Sequence, residues 1–252
     1  MDFETAIVPL ILTFLAGIST GIGSFISLFI KKMEKKFLCL SLGFSAGVMI
    51  YVSFTELLAS SIKDVGFLPA NGAFFVGIIA LFVVDFTIPH EYLEEHVKTE
   101  KKNKKLMAAG LFTAIGIAIH NFPEGIAVFM SALSDLSVGI PLAIAIAIHN
   151  IPEGIAVSMP IFYATKDHIK AFKYSFLSGL AEPIGALIAF ALLFPFLSAE
   201  LLAFALAFVA GIMVFISVDE ILPLSYEHSE GKFTIVGIIV GMALMAFSLY
   251  LF

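Results

Sequence analysis

Eight stretches of mostly apolar residues dominate this chain, at about 6–30, 38–60, 68–88, 107–132, 138–162, 171–194, 199–221 and 233–252. Crossing a hydrocarbon core of about 30 Å takes about 20 such residues as a helix. The runs are continuous rather than alternating, which excludes the strands of a membrane barrel. Of 252 residues, 60% are hydrophobic and 13% charged, against roughly 45–50% and ~25% in soluble domains. Even a domain of about 300 residues leaves about a quarter of its unfolded surface exposed. A soluble enzyme, a nucleic-acid binder and a disordered protein are therefore excluded. The prediction is an all-α integral membrane protein: one polytopic domain over 1–252, eight transmembrane helices, lipid around it and no nucleic acid.

Lysines set the orientation. All 14 basic residues are lysines, so bidentate guanidinium recognition of phosphate is not available to this chain. Lys31, Lys32, Lys35 and Lys36 follow the first run, and Lys98, Lys101, Lys102, Lys104 and Lys105 the third. Lys166, Lys170 and Lys173 follow the fifth, and Lys232 the seventh. Thirteen of 14 lysines thus share one side, with Lys63 opposite. Cationic loops stay in the cytoplasm, so both termini are expected outside it, in a cell (plasma or inner) membrane. The opening Met1-Asp2-Phe3-Glu4 lacks a basic n-region, so the first run is expected to persist as a span. Cys39 stands alone and can form neither an intramolecular disulfide nor a thiolate zinc site by itself.

Two spans carry nearly the same segment. HNFPEGIAVFM occupies 120–130 and HNIPEGIAVSM occupies 149–159, with nine of eleven positions identical and Ile-Ala-Ile before each. Each copy sets a histidine and a glutamate at membrane depth, where a charged group costs at least ~2.5–3.5 kcal/mol. His120 and Glu124 are i and i+4, and Asn121 and Glu124 are i and i+3, so they share one helix face. His149, Asn150 and Glu153 repeat this. Side by side, the copies would bring together two imidazoles, two carboxylates and two amide oxygens, a set suited to zinc and ferrous iron. The competing reading is a buried hydrogen-bond network without metal, which explains one isolated histidine better than two identical copies. Pro123 and Pro152 each remove a helical hydrogen bond and are expected to kink their helices. Broken helices near the midplane are where transporters place binding sites. Gly125 and Gly154 would permit close helix approach.

Other polar groups lie within the spans, near their ends or in the loops. Glu182, beside Ser175, Ser178 and Pro183, has no lysine at its level and needs a proton or a cation, so it is a candidate ligand. Glu56, with Ser45, Ser53 and Thr55 in the second span, fits an entrance role and plain interfacial exposure equally. Asp219 and Glu220 fit an exit site or a solvated helix end, as do Glu227 and His228 after them. Asp85 is open in the same way. The loop HEYLEEH holds His90, Glu91, Glu94, Glu95 and His96, and reads as a solvated linker or a weak metal-collecting loop. It is not the zincin HExxH pattern, since Glu94 occupies the second histidine's place.

Together these residues resemble the ZIP (Zrt/Irt-like) divalent-metal transporters in their bacterial form. HNFPEG and HNIPEG carry the resemblance, with SLGFSAGVMIYVSFTELL (41–58), SGLAEPIG (178–185) and AGIMVFISVDEILPL (210–224). The resemblance covers essentially the whole chain. It implies a ZIP-like bundle with a binuclear centre on the fourth, fifth and sixth helices. One metal position would use His120, Glu124, His149 and Glu153. The other would use Asn121, Glu124, Asn150, Glu153 and Glu182, with Glu124 and Glu153 bridging. It also implies a homodimer and an elevator-like motion of one helix bundle. The histidine-rich loop some relatives carry after the third span is missing here.

The function expected is import of zinc, with iron, manganese and cobalt as further cargo, and no cofactor or catalytic residue. No thiolate favours soft ions, and imidazole is mixed with hard oxygens. Two alternatives stand beside it. An intramembrane zinc-dependent hydrolase would need an open zinc position for water and a nearby base, and the duplicated motif singles out no base. An exporter of the same fold differs only in direction, which residues do not specify.

Overall fold

A computed structural model describes residues 3–27, 29, 35–87, 101–193, 198–227 and 231–251. Within them are eight helices long and apolar enough to cross a membrane, as the eight apolar runs predict. Helix α1 is Phe3–Ser27, α2 Lys35–Val65, α3 Phe67–Thr87, α4 Lys101–Ser134 and α5 Leu136–Thr165. Helix α6 comprises His168–Gly179, Ala181–Ile188 and a π-helical turn at Ala189–Leu193. Helix α7 is Ala199–Glu227 and α8 Lys232–Leu251. Two more π-helical turns, Ser53–Leu57 in α2 and Ile216–Ile221 in α7, each hold acidic residues.

The helix ends follow local chemistry. Asp135 caps α5 by accepting from the Ser137 amide at 2.8 Å, Asp167 caps α6 through Lys170 N at 3.0 Å, and Ser198 caps α7 through Leu201 N at 3.1 Å. Such caps satisfy amides that the helix itself leaves unpaired. The hydrogen bonds from Ser137 hold the Asp135 carboxyl below the ordinary carboxylate range. Gly66, at φ 88°, turns the chain between α2 and α3.

Packing divides the helices into two four-helix units. One comprises α1, α4, α5 and α6, the other α2, α3, α7 and α8. Glycines set the close approaches within each. A β-carbon at Gly43 would strike the Thr234 carbonyl, and one at Gly241 the Phe44 carbonyl, which fixes α2 against α8. Gly77 and Gly211 do the same for α3 and α7, against the carbonyls of Phe208 and Phe74. In the first unit, Gly154 lies on the Thr20 carbonyl and Gly23 on that of Ile151. Small residues that admit backbone contact are how helices associate where no water drives them together. The seam between units is formed by α2 with α5 and α4 with α7.

Candidate metal centre

The two copies of the repeated segment lie on antiparallel neighbours, because Asp135 alone separates α4 from α5. In an antiparallel pair, the start of one copy faces the end of the other. His120 Nε2 accordingly lies 3.0 Å from Glu153 Oε1, and His149 Nε2 lies 3.5 Å from Glu124 Oε2. The i, i+4 spacing does put each histidine and its own glutamate on one face. The close partner of each histidine is nevertheless the glutamate of the other copy.

Glu182 reaches the same place from α6. Pro183 cannot donate to the Gly179 carbonyl, and the helix is interrupted at Leu180 between its first two segments. Helices α4 and α5 stay helical through Pro123 and Pro152, so the proline that interrupts its helix is the one beside Glu182. A β-carbon at Gly125 would strike the Glu182 carbonyl, and one at Gly185 the Phe122 carbonyl. This reciprocal contact draws α4 and α6 together. Asn150 Nδ2 donates to Glu182 Oε2 at 2.6 Å and to the Ala16 carbonyl at 3.0 Å. Asn121 Nδ2 donates to the Ser178 carbonyl at 3.5 Å. Those carbonyls escape sequence reading, since a backbone group has no residue signature.

All seven candidate side chains are buried: His149 is 1% exposed and the other six 0%. Burial leaves many of their atoms unpaired. Asn121 Oδ1, Asn150 Oδ1, Glu182 Oε1 and the second carboxylate oxygens of Glu124 and Glu153 have no hydrogen-bond partner. The histidine–glutamate pairs are close but not aligned as hydrogen bonds, so both ring nitrogens of each histidine are unpaired as well. An unpaired buried polar group costs about 1–3 kcal/mol, and native interiors tolerate few of them. Such a cluster could hold a cation, since imidazole nitrogen with carboxylate and amide oxygen suits first-row divalent metals.

The remaining polar residues separate into distinct places. Ser53 and Thr55 bond back to their own helix, to the Met49 carbonyl at 2.6 Å and the Tyr51 carbonyl at 2.7 Å. Ser175 ties α6 to α5 through the Gly154 carbonyl at 3.1 Å. Glu56 is half-buried and lines a cavity of about 460 Å³ with Ser60, Asp64, Ser131 and Ser137. Asp64 and Ser137 are exposed at its rim, and its inner wall includes buried Ala127 and Ile146. Ala127 and Ile146 lie three residues from Glu124 and His149, about one helical turn. At the lysine-rich end, Asp85, Asp219 and Glu220 each offer a carboxylate oxygen within 4.8 Å of the others. Sequence reading named all three without joining them. His90, Glu91, Glu94, Glu95, His96 and His228 lie outside the described residues.

Residues 90–249 match the family model described as ZIP Zinc transporter. The chain is 48% identical to the zinc transporter ZupT of Clostridium perfringens over 279 aligned positions, covering 100% of this chain and 98% of that one. It is 52% identical to the ZupT of Chlorobium phaeovibrioides, covering 96% and 97%, and to that of Streptococcus mutans, covering 96% of each.

Proposed function

The chain belongs to the ZIP zinc transporter family, and from that premise we propose that it imports divalent cations, zinc foremost, through the buried cluster on α4, α5 and α6. The family is one of transporters, and the chain is a multi-pass membrane protein rather than an enzyme. The observation that carries the proposal is the convergence of His120, Asn121, Glu124, His149, Asn150, Glu153 and Glu182, all buried, with unpaired donor atoms on each.

The donor set serves two ions better than one. Glu124 and Glu153 each lie opposite a histidine of the other copy, and a carboxylate has a second oxygen to share. One ion takes His120, Glu124, His149 and Glu153. The second takes Asn121, Asn150 and Glu182 with the same two bridging glutamates. Imidazole mixed with hard oxygens leaves iron, manganese and cobalt as further cargo.

The route follows the lysine asymmetry. Both termini and the cavity rim at Asp64 and Ser137 lie outside the cytoplasm, and Asp85, Asp219 and Glu220 lie where the ion leaves. An anionic entrance gathers cations before they reach the buried site. The ion passes when the unit holding the site moves against the other unit along the seam. The protein works in lipid as a homodimer, for which the largely exposed apolar surfaces of α3 and α8 are suited.

The test is initial-rate uptake of Zn²⁺, Fe²⁺ and Mn²⁺ into proteoliposomes, wild type beside His149→Ala/Glu153→Ala. Saturable zinc uptake that the double variant loses is expected. Folded wild type that moved no metal inward would overturn the import reading, and efflux from preloaded vesicles would replace it with export. Acid should slow uptake, because imidazole and carboxylate bind metal only when deprotonated. Lowering the entry-side pH from about 7 to about 5 crosses the ordinary histidine range. Uptake that held steady or rose over that range would contradict simple proton competition.

A further inference from the structure

Helices α4 and α7 meet across the seam in antiparallel fashion, and two contacts eleven residues apart on each helix hold their register. Deep in the membrane, Gly116 of α4 receives the Ile216 side chain of α7. At the lysine-rich end, Lys105 Nζ lies 2.7 Å from Glu227 Oε2. On α4 the eleven residues make about three turns, or ~16 Å; on α7 they include the π-helical turn Ile216–Ile221, and both contacts follow the antiparallel run of the two helices. Ala109 and Phe112 occupy the same α4 face between them, and both are buried. Val157 and Ile161 of α5 and Ile221 of α7 fill the same half of the molecule. The other half holds the cavity lined by Glu56, Asp64 and Ser131. Among the described residues, buried side chains fill the seam toward the lysine-rich end, and the cavity opens at the other.

We infer that the Lys105–Glu227 pair is a latch between the two units, holding the register in which the lysine-rich end is shut and the cavity is open. The inference rests on the reading of the chain as a carrier whose units move past one another. A slip of α4 along α7 by one turn, about 5.4 Å, carries the ammonium away from Glu227 and Gly116 away from Ile216. The glycine-to-backbone contacts hold helices within the units, whereas this contact joins charged tips across the seam. The two side chains are 63% and 48% exposed. A pair so exposed biases an equilibrium by up to about fivefold, enough to favour one state without trapping it.

The test uses the full chain in lipid nanodiscs, where both faces meet solvent. In a Cys39→Ala background, Ala109→Cys places a thiol within the packed seam. Its reaction with a water-soluble maleimide reads how often that end opens. Lys105→Gln and Glu227→Gln should each raise the labelling rate by about two- to fivefold, and the double change no further, as expected for one exposed pair. The charge swap Lys105→Glu/Glu227→Lys should return the rate toward the starting value, which separates latch loss from general loosening. Equal rates in all variants, or a swap that labels as fast as the single changes, would overturn the latch. Zinc uptake is measured separately on the starting chain. Absent uptake counts against the carrier reading, while unchanged labelling beside normal uptake counts against the latch alone.

Discussion

Glu153→Ala is expected to reduce zinc uptake to the background of empty vesicles. The side chain is fully buried, with Oε1 3.0 Å from His120 Nε2 and Oε2 unpaired. In the proposed two-ion arrangement, its loss would strip an oxygen from each ion and leave His120 facing an apolar gap. Losing even an outer-shell partner costs about 10–100-fold at metal sites, so losing a shared ligand should exceed that. Glu124→Ala should match it, because Glu124 faces His149 in the mirrored position. Glu182→Ala should do less. It would remove a ligand from one ion and the acceptor of the Asn150 bond, altering metal ranking while uptake persists. Initial rates and zinc bound per folded protein check all three. Glu153→Ala protein that is folded and transports like wild type would refute the shared-ligand arrangement.

The contrast among these carboxylates marks how far the sequence could be read. Eight spans were legible because a bilayer imposes a minimum apolar length, and no other element explains runs such as 199–221. The cluster was legible because hydrocarbon makes His120 or Glu153 too costly to leave without purpose. Glu182 could be added because no lysine lies at its depth. Pairing was not legible. The i, i+4 rule joins His120 to Glu124 within a helix, but the 3.0 Å partner of His120 is Glu153, set by the antiparallel register of α4 and α5. That register depends on how short the link at Asp135 is, which composition does not reveal.

The division into two units was hidden for a related reason. Helices α2 and α8 are far apart in sequence, and their contact depends on Gly43 meeting Thr234 and Gly241 meeting Phe44. In sequence, those glycines look like any others in an apolar run. The same holds for Asp85 with Asp219 and Glu220, which join only because α3 and α7 pack through Gly77 and Gly211. Periodicity shows which face of a helix is special, and it is silent on which helix that face meets. Pro123 and Pro152 drew attention by sitting in the motif, yet the interruption lies at Leu180, ahead of Pro183.

Helix approach therefore matters as much as the ligands, and Gly125→Ala tests it. At Gly125 the added carbon would meet the backbone carbonyl of Glu182, and the return contact at Gly185 meets the carbonyl of Phe122. No rotamer change relieves a clash with backbone, so α4 and α6 must separate or tilt. Overpacking of this kind costs about 1–3 kcal/mol. The functional loss should be larger than that suggests, because Glu182 sits on the very residue whose carbonyl is displaced. The expected outcome is a lower melting temperature in detergent and loss of most zinc uptake. Gly72→Ala in α3 is the matched control: nothing lies within 4 Å of the added carbon, and alanine favours the helix over glycine by about 1 kcal/mol. It should melt no lower than wild type and transport at the same rate. If Gly125→Ala behaved like Gly72→Ala, the close approach of α4 and α6 would not be what carries Glu182 to His120, Glu124, His149 and Glu153.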